Sequence, residues 1–499
     1  MKKETLILLG FIVTKLVLQY LVVHPIYDLQ RDEYLHLDQA KHLAWGYHSI
    51  PPLTSWISWI ILQLGNSYFW VKFFPALFGA LTILVVWKTV ESLKGSLYSC
   101  ILTATALTFS SLLRINMLFQ PNSLDILCWT LVYYTLIRFI QTANYKWMYF
   151  MAISFAIGFL NKYNIAFCLL GLLPAIALTE QRKLFLKPQF YLALFIGLAM
   201  ISPNLIWQFQ HDFPVFKHMQ ELQKTQLIHV KRMDFVEDQF MFFFSSLLVL
   251  VAGFISLFAY KPFRQYRILF YALTFTLFLF IYLKAKGYYA IGLYPIFLAF
   301  GAIYISHLFQ HNWKAYVRIL PIAVILSLFV PLLNRALPLK TPEAYFKSGN
   351  QHTWEDGKKY PISQDFADML GWKELARKVD SIYKTLPDKR GVLILCDSYG
   401  QAGAINYYTK VEGLKADSFT DDYGNWVNLD SEIKIVIRIK EVKNVNDVRD
   451  LSLFNKVAYA SKIENEFARE KDTQLILLTE PKIDLAKLLK TEREAGRLK

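Results

Sequence analysis

Residues 69–90 read FWVKFFPALFGALTILVVWKTV. As an α-helix rising about 1.5 Å per residue, a run of that length crosses the roughly 30 Å apolar layer of a bilayer. Comparable runs lie near 5–23, 97–113, 123–140, 146–161, 163–179, 189–207, 240–259, 267–283, 287–307 and 315–334. The pattern predicts about eleven spans. The first is not expected to be a cleaved leader, because its apolar core is long and no small-residue cleavage site follows it.

Composition agrees with that reading. The 499 residues are 55% hydrophobic and 16% aromatic but only 19% charged, which excludes disordered, collagenous and disulfide-scaffold chains. Cys100, Cys128 and Cys168 sit inside apolar runs and Cys396 stands alone, so neither a disulfide framework nor a metal knuckle is indicated.

The net charge of +15 is unevenly placed. Residues 340–499 hold 27 Lys and Arg against 26 Asp and Glu, while residues 1–339 hold 27 against 13. The excess lies in loops between apolar runs, where it reads as topology and not as a nucleic-acid footprint. With the N-terminus inside, the inner loops collect Lys2, Lys3, Arg182, Lys183, Lys187, Lys261 and Arg264 among others. The positive-inside rule therefore predicts a cytoplasmic-membrane protein with a cytoplasmic N-terminus and an extracytoplasmic C-terminal part.

Two domains are expected: a membrane domain over 1–339, with a long first outer loop at 24–68, and a soluble domain over 340–499. In the second, FADMLGWKELARKVDSIYKTL (366–386) has helical periodicity, while GVLILC (391–396), EIKIVIRIK (432–440) and TQLILLTE (473–480) read as strands. Strands alternating with helices imply a small α/β domain. DSYGQAGA (397–404) follows a strand but lacks the GxGxxG spacing, so it reads as a tight strand-to-helix turn.

Four polar clusters fall on the predicted outer side. In the first loop, YDLQRDEYLHLDQAKHLAWGYHSIPPLTSWISWIILQLG (27–65), Arg31, Asp32 and Glu33 follow closely on the first span. Carboxylates so near the bilayer are functional candidates, although a hydrated loop with a capping Asp accounts for them too. Trp56 and Trp59 among aliphatics suggest an interfacial helix. In NMLFQPNSLDIL (116–127), Asp125 either contributes to a site or complements the helix N-terminus. In LNKYNI (160–165), Lys162 between two apolar runs either snorkels or binds an anion. In YLKAKGYYAIGLYP (282–295), Lys284 and Lys286 beside Tyr288 and Tyr289 form either a phosphate clamp or an interfacial anchor.

Taken in order, RDEYLHLDQAKHLAWGYHSIPPLTSWI, FQPNSLDILCWTLVYYTLIRFI, NKYN, SPNLIWQFQHDFPVFKHM and KAKGYYAIGLYP resemble the protein O-mannosyltransferase-like and aminoarabinose transferase-like branch of the C-type, polyprenyl-phosphate-dependent glycosyltransferases (glycosyltransferase family 39). The resemblance covers roughly residues 1–335, and the tail is similar to the extracytoplasmic domain of one bacterial branch. It implies Asp32 as catalytic acidic residue with Glu33 its neighbour, and Lys162, Lys286, Tyr288 and Tyr289 as contacts to the lipid phosphate. Arg31, His48, Asp125 and Lys284 are further candidates for substrate contact. The chain departs from the family where many relatives place an acid directly after the proline of the second cluster; here Asn122 follows Pro121. Some branches use a divalent metal, but no ligand cluster in this sequence calls for one.

The implied activity is transfer of a hexosyl or pentosyl group from a polyprenyl-phosphate donor to a lipid, glycan or protein acceptor. Its chemistry suits these residues. The departing phosphate gains negative charge, which lysines stabilise, and the acceptor hydroxyl needs a base. With no second carboxylate placed as a nucleophile, direct displacement with inversion is the simpler course. A transporter or flippase of lipid-linked sugars, using the same phosphate clamp without a base, is the alternative.

Overall fold

The computed structural model describes residues 2–225, 227–310, 316–444 and 451–495. Position 315, where the last expected span begins, lies outside them. The chain divides into two compact units that do not follow chain order. One comprises 1–23, 50–54 and 66–339; the other comprises 24–49, 55–65 and 340–499. Residues 24–49 and 55–65 of the loop at 24–68, expected by sequence order to belong with the membrane domain, thus fall in the same unit as residues 340–499.

The first unit is helical. Among the described residues, six helices are long and apolar enough to cross a membrane: Lys3–Leu21, Tyr68–Ser92, Asn122–Thr142, Pro188–Gln210, Lys261–Tyr282 and Tyr316–Leu333. Three further pairs bend sharply at a short break, including Gly287–Leu293 with Pro295–Leu308 at 52°. Counting each pair as one span raises the total to nine. The expected count was about eleven, against six to nine found by length and composition among the described residues. The other two apolar runs form helices of only 12 and 16 residues, Leu97–Thr108 and Lys146–Asn161. At about 1.5 Å per residue these fall short of a ~30 Å apolar layer. Hydropathy registers the apolar run but not where its helix stops. This is a multi-pass membrane protein.

The second unit holds a five-stranded mixed sheet in the order 416–418, 392–396, 435–440, 474–481, 454–462. The first three strands are parallel, and the last two pair antiparallel. Alternation puts Leu393, Val436, Ile476 and Leu478 into one core with Phe454 and Leu485. Helix Trp372–Thr385 buries Trp372, Leu375, Ala376 and Val379, a 3.6-residue stripe.

Helix Arg31–Asp38 of the first loop lies against helix Tyr399–Tyr408 of the tail. Two glycines make that approach close. A Cβ on Gly400 would come 2.6 Å from Arg31 Cγ, and one on Gly403 would come 2.7 Å from Tyr34 Cβ. Tyr34, fully buried, is ringed by Trp372, Tyr407 and Tyr408.

Candidate active site

Of the four carboxylates between residues 28 and 38, three are buried in structural roles. Asp28 accepts the backbone N–H groups of Trp372 and Lys373 at 3.1 and 3.2 Å and pairs with the Lys373 ammonium at 2.9 Å. Burial raises its pKa, with Lys373 opposing. Glu33 reaches back to the Gln30 N–H at 2.7 Å while the Gln30 side chain accepts from Asp32 N, a reciprocal cap that starts the helix. Asp38 accepts from Asn406 at 2.7 Å, Tyr423 at 2.6 Å and Lys41 at 3.0 Å. Asp32 alone among these four retains solvent access. Its Oδ1 accepts the Tyr399 hydroxyl at 2.8 Å. A partly exposed carboxylate held in place is able to accept a proton.

Arg31, beside it, lays its guanidinium 4.4 Å from the Tyr399 ring centroid, and its charge interacts with Asp368, Asp32 and Glu470. Both ends of Asp422 are engaged: Oδ1 accepts the His48 backbone N–H and Oδ2 accepts the Gln39 amide, each at 2.8 Å. Burial, with Asp421 adding to it, pushes Asp422 up to about 8.

The first unit carries a separate cluster at the break between helix Lys146–Asn161 and the turn Tyr163–Ile165. Extended backbone at Lys162 (φ −156°, ψ 126°) separates the two. Its ammonium donates to Asn122 Oδ1 at 2.7 Å and stands 5.0 and 4.6 Å from the ring centroids of Tyr288 and Tyr289. Asn122 is the departure from the family pattern noted above. With an amide there, no carboxylate among the described residues is directly bonded to the lysine.

Asp125 sits behind this lysine. It is buried, accepts from Trp129 Nε1 and Asn164 Nδ2 at 3.1 Å each, and interacts with the Lys162 charge. Asn164 also donates to the Tyr289 carbonyl at 2.9 Å, tying the two loops together. Lys286 adds a second positive charge that Lys162 senses. Lys284 is exposed in a left-handed turn ahead of it (φ +52°). The structure therefore brings Lys162, Asp125, Tyr288, Tyr289 and Lys286 into one cluster, and Arg31 and Asp32 together in the other unit.

Sequence reasoning missed Asn164 and Tyr399. The available signal for Asn164 was the density of polar residues, Asn161, Lys162 and Asn164, between two apolar runs. For Tyr399 no local signal existed, since its partner is 367 residues away.

A family model, dolichyl-phosphate-mannose-protein mannosyltransferase, matches residues 49–207. The lipid A galacturonosyltransferase RgtD of Rhizobium johnstonii is 23% identical over 219 residues, which is 44% of this chain and 46% of that protein. The match thus spans under half the length of that relative. Two structures of ArnT from Cupriavidus metallidurans share the fold. The one bound to undecaprenyl phosphate has a TM-score of 0.62 at 13% identity, covering 96% of this chain and 98% of that one. The apo form has 0.63 at 12%, covering 98% and 99%. The domain matched in its first half is similar to the dolichyl-phosphate-mannose-protein mannosyltransferases, and the fold of nearly its whole length is that of ArnT.

Proposed function

We propose that this protein is a glycosyltransferase that moves a hexosyl or pentosyl group from a polyprenyl-phosphate donor to a lipid, glycan or protein acceptor, with inversion at the anomeric carbon. The observation that carries the reading is Lys162, a partly buried cation hydrogen-bonded to a neutral amide and faced by two tyrosine rings. A lysine in that setting has positive charge to offer an incoming anion.

In the reaction, Asp32 takes the proton of the acceptor hydroxyl as its oxygen attacks the anomeric carbon. The bond from that carbon to the phosphate oxygen breaks, and the lipid phosphate leaves as a monoester with one more negative charge. Lys162 and Lys286 offset that charge, and Tyr288 and Tyr289 flank it. Asp125 and Asn164 hold Lys162 and the tyrosine loop in register. Glu33 caps the helix that carries Asp32.

The same reading places the protein in the cytoplasmic membrane with its N-terminus inside. Loop charge supports residues 340–499 being extracytoplasmic. A cysteine introduced at Asp421 is then labelled by a membrane-impermeant thiol reagent once the outer barrier is permeabilised; labelling only after inner-membrane lysis reverses the map.

Transfer is tested in proteoliposomes with a panel of synthetic undecaprenyl-phosphate hexoses and pentoses and total envelope lipids and glycans as acceptor. Sugar incorporation with equimolar release of undecaprenyl phosphate supports the enzyme. Movement of intact donor between leaflets without release supports the flippase instead.

A further inference from the structure

Tyr399 is the first residue of helix Tyr399–Tyr408, and that helix start is fixed from several directions. Ser398 and Gln401 form a capping box. Gln401 Oε1 also accepts the Asp397 N–H at 3.0 Å, and its amide donates to the buried Glu470 at 2.6 Å. Thr473 holds the same Glu470 oxygen at 3.1 Å. On the other side, Arg31 lies over the Tyr399 ring and is seated against Gly400, where any side chain would collide with it. The Arg31 backbone is anchored too, its N–H donating to the Asp368 carbonyl at 3.1 Å. The hydroxyl at the end of this braced ring donates to Asp32 Oδ1 at 2.8 Å.

A carboxylate in the first turn of a short helix has several accessible side-chain rotamers. A phenol held from behind selects one of them and fixes the turn of the carboxylate plane. We propose that Tyr399 is a positioning residue for Asp32, so that the α/β domain of residues 340–499 completes the proton-accepting group and is not an appended module. The inference rests on the reading of Asp32 as the base.

Tyr399→Phe tests it, because it removes one oxygen and keeps the ring beneath Arg31. The full-length protein is assayed in proteoliposomes with whichever donor of the panel above turns over fastest. Small misplacements of reacting groups cost up to about a hundredfold, so kcat is expected to fall roughly ten- to a hundredfold with donor KM within about twofold. In an Asp32→Asn background the same change is expected to add less than about twofold, since coupled groups are not additive.

Asn406→Ala controls for loosening of the two helices. It removes a contact to Asp38 in the same interface and is expected to lower the melting temperature with kcat retained. Normal turnover in Tyr399→Phe with an impaired Asp32→Asn overturns the positioning role while leaving the base reading intact. Losses that multiply, or an equal loss of kcat in Asn406→Ala, also overturn it. Normal turnover in Asp32→Asn removes the base reading, and this inference falls with it.

Discussion

Lys162→Met isolates the charge on which phosphate recognition depends. Methionine keeps most of the length and apolar body of the lysine and removes the ammonium. In the native structure that ammonium has an amide acceptor at 2.7 Å and two aromatic faces within 5.0 Å. The nearest carboxylate in the cluster, Asp125, is occupied by Trp129 and Asn164. A bound phosphate therefore gains a charge-assisted contact without breaking an ion pair, and such a contact is worth about 1.5–3 kcal/mol. At about 1.36 kcal/mol per tenfold, its loss corresponds to a roughly 10- to 150-fold weaker Kd. The assay is titration of undecaprenyl phosphate into wild type and variant in nanodiscs, with the uncharged polyprenol as control. The variant also leaves Asn122 Oδ1 without its donor, so a matched melting curve establishes that the fold persists. Weakened binding of the phosphate with unchanged polyprenol binding is expected. A phosphate Kd within about twofold of wild type refutes the reasoning and returns Lys162 to the role of a snorkelling residue.

Lys286→Ala is expected to lower kcat/KM about ten- to a hundredfold, measured on the same donor panel; unchanged kinetics make it an interfacial anchor. Glu33→Ala removes the side-chain acceptor of the buried Gln30 N–H and is expected to cost about 1–3 kcal/mol, read as a lower melting temperature. Glu33→Gln, which still accepts that N–H, is expected to lose less turnover than Asp32→Asn. Burial, with Asp421 adding to it, pushes Asp422 up to about 8 in the fold, above the ordinary carboxylate value of about 3.9 it has unfolded. Its folded state therefore favours the proton, and the stability it contributes below pH 4 is lost as pH rises through 8. Asp422→Asn cannot titrate, so melting curves of wild type minus variant are expected to decline from pH 4 to pH 8; a flat or rising difference contradicts the assignment.

Much of the architecture was legible because it follows from local pattern. The apolar runs mark helices, the strand and helix periods of 366–480 mark an α/β domain, and Lys162 stands out as a cation between apolar runs. What was not legible depends on pairs distant in sequence. Helix 31–38 is buried by Gly400 and Gly403, and nothing in the first loop announces those glycines. Four neighbouring carboxylates look equivalent as letters, yet only burial separates Asp32 from Asp28, Glu33 and Asp38. Hydropathy also does not register a 52° bend or a helix ending after 12 residues. Asn122 was noted as a departure from the family pattern, but its use as the acceptor for Lys162 emerges only when the two segments meet.

The account turns most directly on the single-turnover rate of Asp32→Asn, measured with bound undecaprenyl-phosphate sugar and saturating acceptor in parallel with donor binding. The substitution keeps the side chain's size and removes most of its basicity. General-base catalysis contributes typically 10²–10⁴-fold, so sugar transfer is predicted to slow by about a hundredfold or more while donor Kd stays within about twofold. Transfer at the wild-type rate by a folded, donor-binding Asp32→Asn protein would contradict the account.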